Sequence, residues 1–64
     1  MTAAIIEQIE AALISVVNAR IRLEIASPKI AFKNGYMEVN KAATDLQYVE
    51  GEIRRALAYA KDWE

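Results

Sequence analysis

The sequence predicts an α+β fold of order α-β-β-α, with two antiparallel helices packed on a two-stranded antiparallel β-hairpin. Three observations carry that expectation. Asn34-Gly35 stands between two short apolar-rich runs in the stretch KIAFKNGYMEV, Lys29–Val39. Apolar residues recur at three- and four-residue spacing over about 3–26 and again over about 41–62. Pro28 separates the first of these stretches from the hairpin. The whole is expected to be one domain, 1–64, with the hairpin over about 29–39 and its turn at 34–35.

The first helix is expected to start at Thr2, an N-cap residue, with Glu7 and Glu10 near the positive end of the helix dipole. Ile5, Ile9, Ala12, Val16, Ala19 and Leu23 form its core stripe, flanked by Ile6 and Leu13. Two features depart from simple amphipathicity. Ile14, Ile21 and Ile25 sit at seven-four spacing on the side that should be wet. Arg20 and Glu24 drift onto the apolar side as an i,i+4 pair. A stripe that swings as the helix bends would account for both. Three aligned isoleucines favour a second reading, a ridge that packs on another subunit. Pro28 then stops the helix, because it restricts Ser27 and lacks an N–H.

In the hairpin, Asn and Gly supply the two positive φ angles of a type I′ turn. A two-residue loop pairs Lys33 with Tyr36, Phe32 with Met37, Ala31 with Glu38 and Ile30 with Val39. Residues directly opposite share a face. Ile30, Phe32, Met37 and Val39 would therefore lie together under the helices.

The second helix is expected to be capped by Asn40, or one turn later by the capping box Thr44-Asp45-Leu46-Gln47. Ala42, Leu46, Val49, Ile53, Ala56, Leu57 and Ala60 form its core stripe. Gly51 interrupts it at a cost of about 1 kcal/mol relative to alanine. Either a neighbouring backbone comes close there or the helix simply tolerates it. A second stripe, Tyr48, Glu52, Arg55, Tyr59 and Trp63, runs beside the core. Tyrosine, tryptophan and arginine dominate interface hot spots, although such rings also pad the margins of cores.

Composition excludes more than it assigns. The chain has 64 residues, 55% of them apolar, a net charge of −1, and neither cysteine nor histidine. Disulfides and the usual zinc sets are therefore ruled out. A core this small rarely supplies more than about 3–5 kcal/mol, so oligomerisation is the expected staple. The hydroxyls of Thr2, Ser15, Ser27 and Thr44 are scattered, and carboxylates such as Glu38 with Asp45, or Glu50 and Glu52, form no recognisable cluster. With only Gly35 and Gly51 there is no phosphate-cradling loop. No enzyme, cofactor, metal site or small-molecule substrate is expected. Arg20, Arg22, Lys29, Lys33 and Lys41 gather near the hairpin end, offset by Glu24 and Glu38, which suits at most weak contact with DNA phosphates. Acidic residues interrupt the N-terminal apolar run, so no signal peptide is read, and no uninterrupted apolar stretch reaches membrane-spanning length.

The order of elements, the segment KIAFKNGYMEV and the run from Thr44-Asp45-Leu46 to Glu52-Ile53 give the chain a resemblance to the gpW family over about 12–57. These are the small head-to-tail joining, or head-completion, proteins of long-tailed bacteriophages. The resemblance implies two antiparallel helices on a hairpin and a homo-oligomeric ring in the virion neck, assembled in the host cytoplasm. Its neighbours would be portal or adaptor and tail proteins. It implies no catalytic residue and no membrane. Family members often carry a basic or flexible C-terminal tail, whereas this sequence ends Lys61-Asp62-Trp63-Glu64. The expected interface residues are Ile14, Ile21, Ile25, Tyr48, Glu52, Arg55, Tyr59 and Trp63. The alternative expectation is a small phage-type regulatory or inhibitory protein that grips a host partner through the aromatic-arginine face.

Overall fold

A computed structural model describes residues 2–63. Met1 and Glu64, the ends of the single domain expected over 1–64, lie outside the described residues. Helix α1 spans Thr2–Ala26, a 3₁₀ turn covers Ser27–Ile30, and helix α2 spans Tyr36–Lys61. The two helices pack antiparallel into a rod measuring 50 × 14 × 12 Å. Among the described residues there is no strand. The α+β expectation is therefore corrected to an all-helical hairpin.

Local hydrogen bonding explains the correction. Lys33 N–H donates to the Ile30 carbonyl, Tyr36 N–H to that of Lys33, and Val39 N–H to that of Gly35, all at 2.9–3.2 Å. These are three- and four-residue closures, whereas a ribbon would need cross-strand pairs. A type I′ turn requires positive φ at both central residues. Here the positive angles fall on Phe32 (70°) and Gly35 (91°), and Asn34 has none. Gly35 does reverse the chain, but as the N-cap of α2. The four side chains meant to lie under the helices are split: Ile30 and Val39 are half-buried, while Phe32 and Met37 are exposed. An isolated two-stranded ribbon is marginal in water. Starting α2 at Tyr36 instead continues its apolar spacing back through Val39 and half-buries Tyr36.

Pro28 ends α1 without extending the chain. Its fixed φ suits the first turn of a helix, and it stands at the start of the 3₁₀ turn that follows. Asn40 is not a cap. It lies inside α2, where Ser27 Oγ donates to its side-chain oxygen at 2.6 Å and ties the connection to the second helix. Thr44 is equally internal, its Oγ1 donating to the Asn40 carbonyl at 3.0 Å. Thr2 already belongs to α1.

The helices meet along two stripes of strict four-three spacing. On α1, Ile6, Ile9, Leu13, Val16, Arg20 and Leu23 are half-buried; on α2, Val39, Leu46, Glu50, Ile53 and Leu57 are half-buried and Ala43 and Ala60 fully so. Such spacing is the seam of an antiparallel coiled coil. It differs from the expected stripes on one side of each helix. Ile5, Ala12 and Ala19 on α1, with Val49 and Ala56 on α2, are exposed. The cause is that Arg20 and Glu50 occupy seam positions. Arg20, expected at the edge of the apolar side, lies in the seam itself, and Glu50, expected as surface charge, lies opposite it.

Candidate interaction surface

The polar centre of the molecule is built on those two residues. Arg20 Nε donates to Glu50 Oε1 at 3.2 Å, and Arg20 Nη1 to Glu24 Oε1 at 2.6 Å. Gln47 Nε2 also donates to Glu24 Oε1, at 3.4 Å, and Arg54 Nη2 to Glu50 Oε2, at 3.4 Å. The expected Arg20–Glu24 pair is thus present, and it reaches across the seam. The hydrogen bond from Arg20 holds the Glu24 carboxyl below the usual carboxylate range. In return, hydrogen bonds to Glu24 and Glu50 raise the proton affinity of Arg20. Both carboxylates are engaged by arginine, an arrangement that fixes how the helices meet. Among the described residues no His, Cys, Asp or Glu cluster could hold a metal ion.

These contacts mark the two flanks of the rod. In an antiparallel pair, like flanks of the two helices face each other. Glu24 and Gln47 define a polar flank, which also carries Glu10, Asn40, Arg54 and Lys61. The other flank is uncharged. Ile5, Ala12 and Ala19 of α1 lie there beside Val49 and Ala56 of α2, and Trp63 follows in the turn after that helix, all exposed. Beyond it, the outer shoulder of α1 bears Arg22 and Lys29, and that of α2 bears Glu38, Asp45 and Glu52, again all exposed.

All eight interface residues expected from the sequence are exposed, but the structure does not bring them together. Ile14 (61% exposed), Ile21 and Ile25 lie on the back of α1 toward the polar flank. Tyr48, Glu52, Arg55 and Tyr59 lie on the back of α2, and the stripe reaches the uncharged flank only at Trp63. The two sets occupy diagonally opposite edges of the rod. Sequence reasoning missed Ile5 and Val49, which it buried, and Phe32, which it turned inward and which is fully exposed. The signal for the first two was present in the four-three spacing that passes through Arg20 and Glu50.

The one concavity described, about 490 Å³, is lined by the consecutive residues Ala31 to Glu38. It is the hollow of a single connection rather than a cleft between elements. The segment Thr2–Ile30 is long and apolar enough, by length and composition, to cross a membrane, with a mean hydropathy of 1.3 over its best window. Glu7, Gln8 and Glu10 interrupt it. A helix apolar on more than one side is covered either by protein or by lipid.

With this geometry in hand, comparison with known protein families, with characterised proteins and with solved structures gives no match. The likeness to the gpW family therefore rests on the quoted residues alone, and of these KIAFKNGYMEV forms a turn and the start of a helix.

Proposed function

We propose that this chain is a non-enzymatic assembly subunit, a helical hairpin that acts through protein–protein contact. The observation that supports it is the amount of large apolar surface left outside the seam. Ile14, Ile25, Tyr48, Tyr59 and Trp63 are each more than half exposed, and the fully buried residues described are two alanines. Tyr48, Tyr59 and Trp63 share one outer side of the rod, and an exposed apolar patch of that kind marks a site of association. A subunit of a homo-oligomeric ring in the neck of a long-tailed phage, between portal or adaptor and tail proteins, is the narrower form of this proposal. Its support is the antiparallel order of two long helices and the segment from Thr44 to Ile53, and it stands without the hairpin that was expected to carry it. A second reading, a regulatory protein binding a host partner, is favoured by the exposure of Tyr48, Glu52, Arg55, Tyr59 and Trp63 along α2.

Quantitative proteomics of purified particles and of native complexes from producing cells tests the proposal. The expected result is the chain in multiple copies within one assembly. A one-to-one complex with a host enzyme, lost on Tyr59→Ala, would transfer the function to the second reading. A chain that migrates alone in both preparations overturns the proposal.

A further inference from the structure

We infer that the uncharged flank is the contact between two copies of this chain, which pair as a four-helix bundle with the two-fold axis parallel to the helices and both connections at one end. The inference rests on the assembly reading above and names the partner. Three observations carry it.

The first is area. The chain exposes 4970 Å², whereas a compact single chain of 7.2 kDa exposes about 4,100 Å². The excess of roughly 850 Å² matches the share of about 800 Å² that each partner contributes to a standard interface. The radius of gyration, 14.8 Å against about 11 Å for a compact domain of this length, records the same shortfall as shape. A second rod laid alongside the first makes up the missing layer.

The second is self-compatibility. A two-fold contact buries the same patch from both copies, so every charge within it is taken out of water twice over. Ile5, Ala12, Ala19, Val49, Ala56 and Trp63 carry none. The alanines let helices approach closely, while the isoleucine, valine and tryptophan supply apolar area. The opposite flank would have to bury Glu10, Glu24, Arg54 and Lys61.

The third is charge complementarity at the rim, and it selects the orientation. The shoulder of α1 beside this flank is basic (Arg22, Lys29), and that of α2 is acidic (Glu38, Asp45, Glu52). An axis parallel to the helices lays each α1 against the partner's α2 in antiparallel fashion. The pairing of Arg20 with Glu50, Glu24 with Gln47 and Ser27 with Asn40 fixes the relative heights of the two helices. By those heights, Arg22 comes within about one helical turn of the partner's Asp45, and Lys29 within one turn of the partner's Glu38. The perpendicular axis instead sets α2 on the partner's α2 and brings the acidic shoulder, with Glu38, Asp45 and Glu52, against its own copy. Like charges so placed disfavour that arrangement.

The test uses the full chain in analytical ultracentrifugation over a wide concentration range, with Trp63 emission followed in parallel. The expected result is a dimer whose formation moves the emission to shorter wavelength. Ala19→Glu and Ala56→Glu lie outside the seam, so each should retain helical circular dichroism while weakening the dimer about tenfold or more. Arg22→Glu should weaken it less, and Arg22→Glu with Asp45→Arg should restore it. A chain that stays monomeric throughout overturns this inference and leaves the assembly reading intact. An oligomer broken by Ile21→Glu but untouched by Ala19→Glu does the same. A monomer that inserts α1 into phosphatidylcholine–phosphatidylglycerol vesicles, seen as Trp63-independent co-sedimentation, overturns both.

Discussion

Arg20 and Glu50 meet at 3.2 Å across thirty residues of sequence, at facing positions of a seam whose neighbours are aliphatic. Partly buried ion pairs contribute less to stability than their geometry suggests, because both charges leave water to form them. Their better-attested use is to make wrong pairings costly. Sliding α1 along α2 by one heptad would strand both charges against aliphatic side chains. The pair thus pins the register that builds the two flanks.

Truncating one partner should therefore cost more than removing both. Arg20→Leu leaves Glu50 at the seam with only Arg54 to satisfy it, and Glu50→Leu leaves Arg20 with Glu24 alone. Each should lower the thermal midpoint followed by circular dichroism. Arg20→Leu with Glu50→Leu should recover most of the loss, and its molar mass distribution should broaden as register control is lost. A double variant no more stable than the worse single one would contradict this account.

Glu24 gives the fold a pH dependence whose sign is fixed. Its folded pKa lies below the ordinary carboxylate value because Arg20 donates to it. The unfolded chain therefore binds more protons in the interval between the two values, and stability rises with pH there. The contribution is complete above the unfolded value, about 4.3, and disappears as pH falls through the folded one. Glu24→Gln should flatten that acid limb in urea titrations at graded pH. Equal acid sensitivity in both proteins would remove Glu24 as the cause.

The connection holds two residues at positive φ, and they should respond in opposite ways. Gly35 has no atom within 4 Å of where a Cβ would stand. Gly35→Ala should still destabilise by about 1 kcal/mol, through the left-handed backbone alone. Phe32 carries the same penalty without packing to offset it, being fully exposed. Phe32→Gly should be neutral or stabilising by up to about 1 kcal/mol. Chemical denaturation of the two variants decides the matter, and destabilisation by Phe32→Gly would assign the ring a contact outside the single hairpin.

Gly51 separates tolerance from use. A Cβ there would meet only Arg55 Nη1, at 4.0 Å, the far end of a flexible side chain. Gly51→Ala should therefore stabilise the helix by about 1 kcal/mol. It also lies away from the uncharged flank, so the dimer constant should not move. A stabilised chain with weakened self-association would instead place a neighbouring backbone against Gly51.

Much of the local structure was legible in the residues themselves. The break at Pro28 and the need for positive φ at Gly35 are properties of single side chains or their absence. The apolar periodicity that makes two long helices is equally local. The segment from Tyr36 to Val39 was not legible in this way, because four residues of mixed apolar character fit a strand edge and a first helical turn equally well. For the interaction surface, the exposed aromatics of α2 were visible as a stripe. The uncharged flank was hidden, because Arg20 reads as the edge of a stripe and Glu50 as surface charge until the two are seen to face each other.

The sequence by itself determined two amphipathic helices, a sharp reversal between them and a surplus of apolar surface for one small chain. Only the tertiary structure decided that the reversal joins helix to helix directly, which residues form the seam, and which side of the rod is left uncharged. The physical reason is that helix formation and backbone reversal are set within a few neighbouring residues. The choice of face depends on a charge finding its partner thirty residues away, and that happens only when the helices pack.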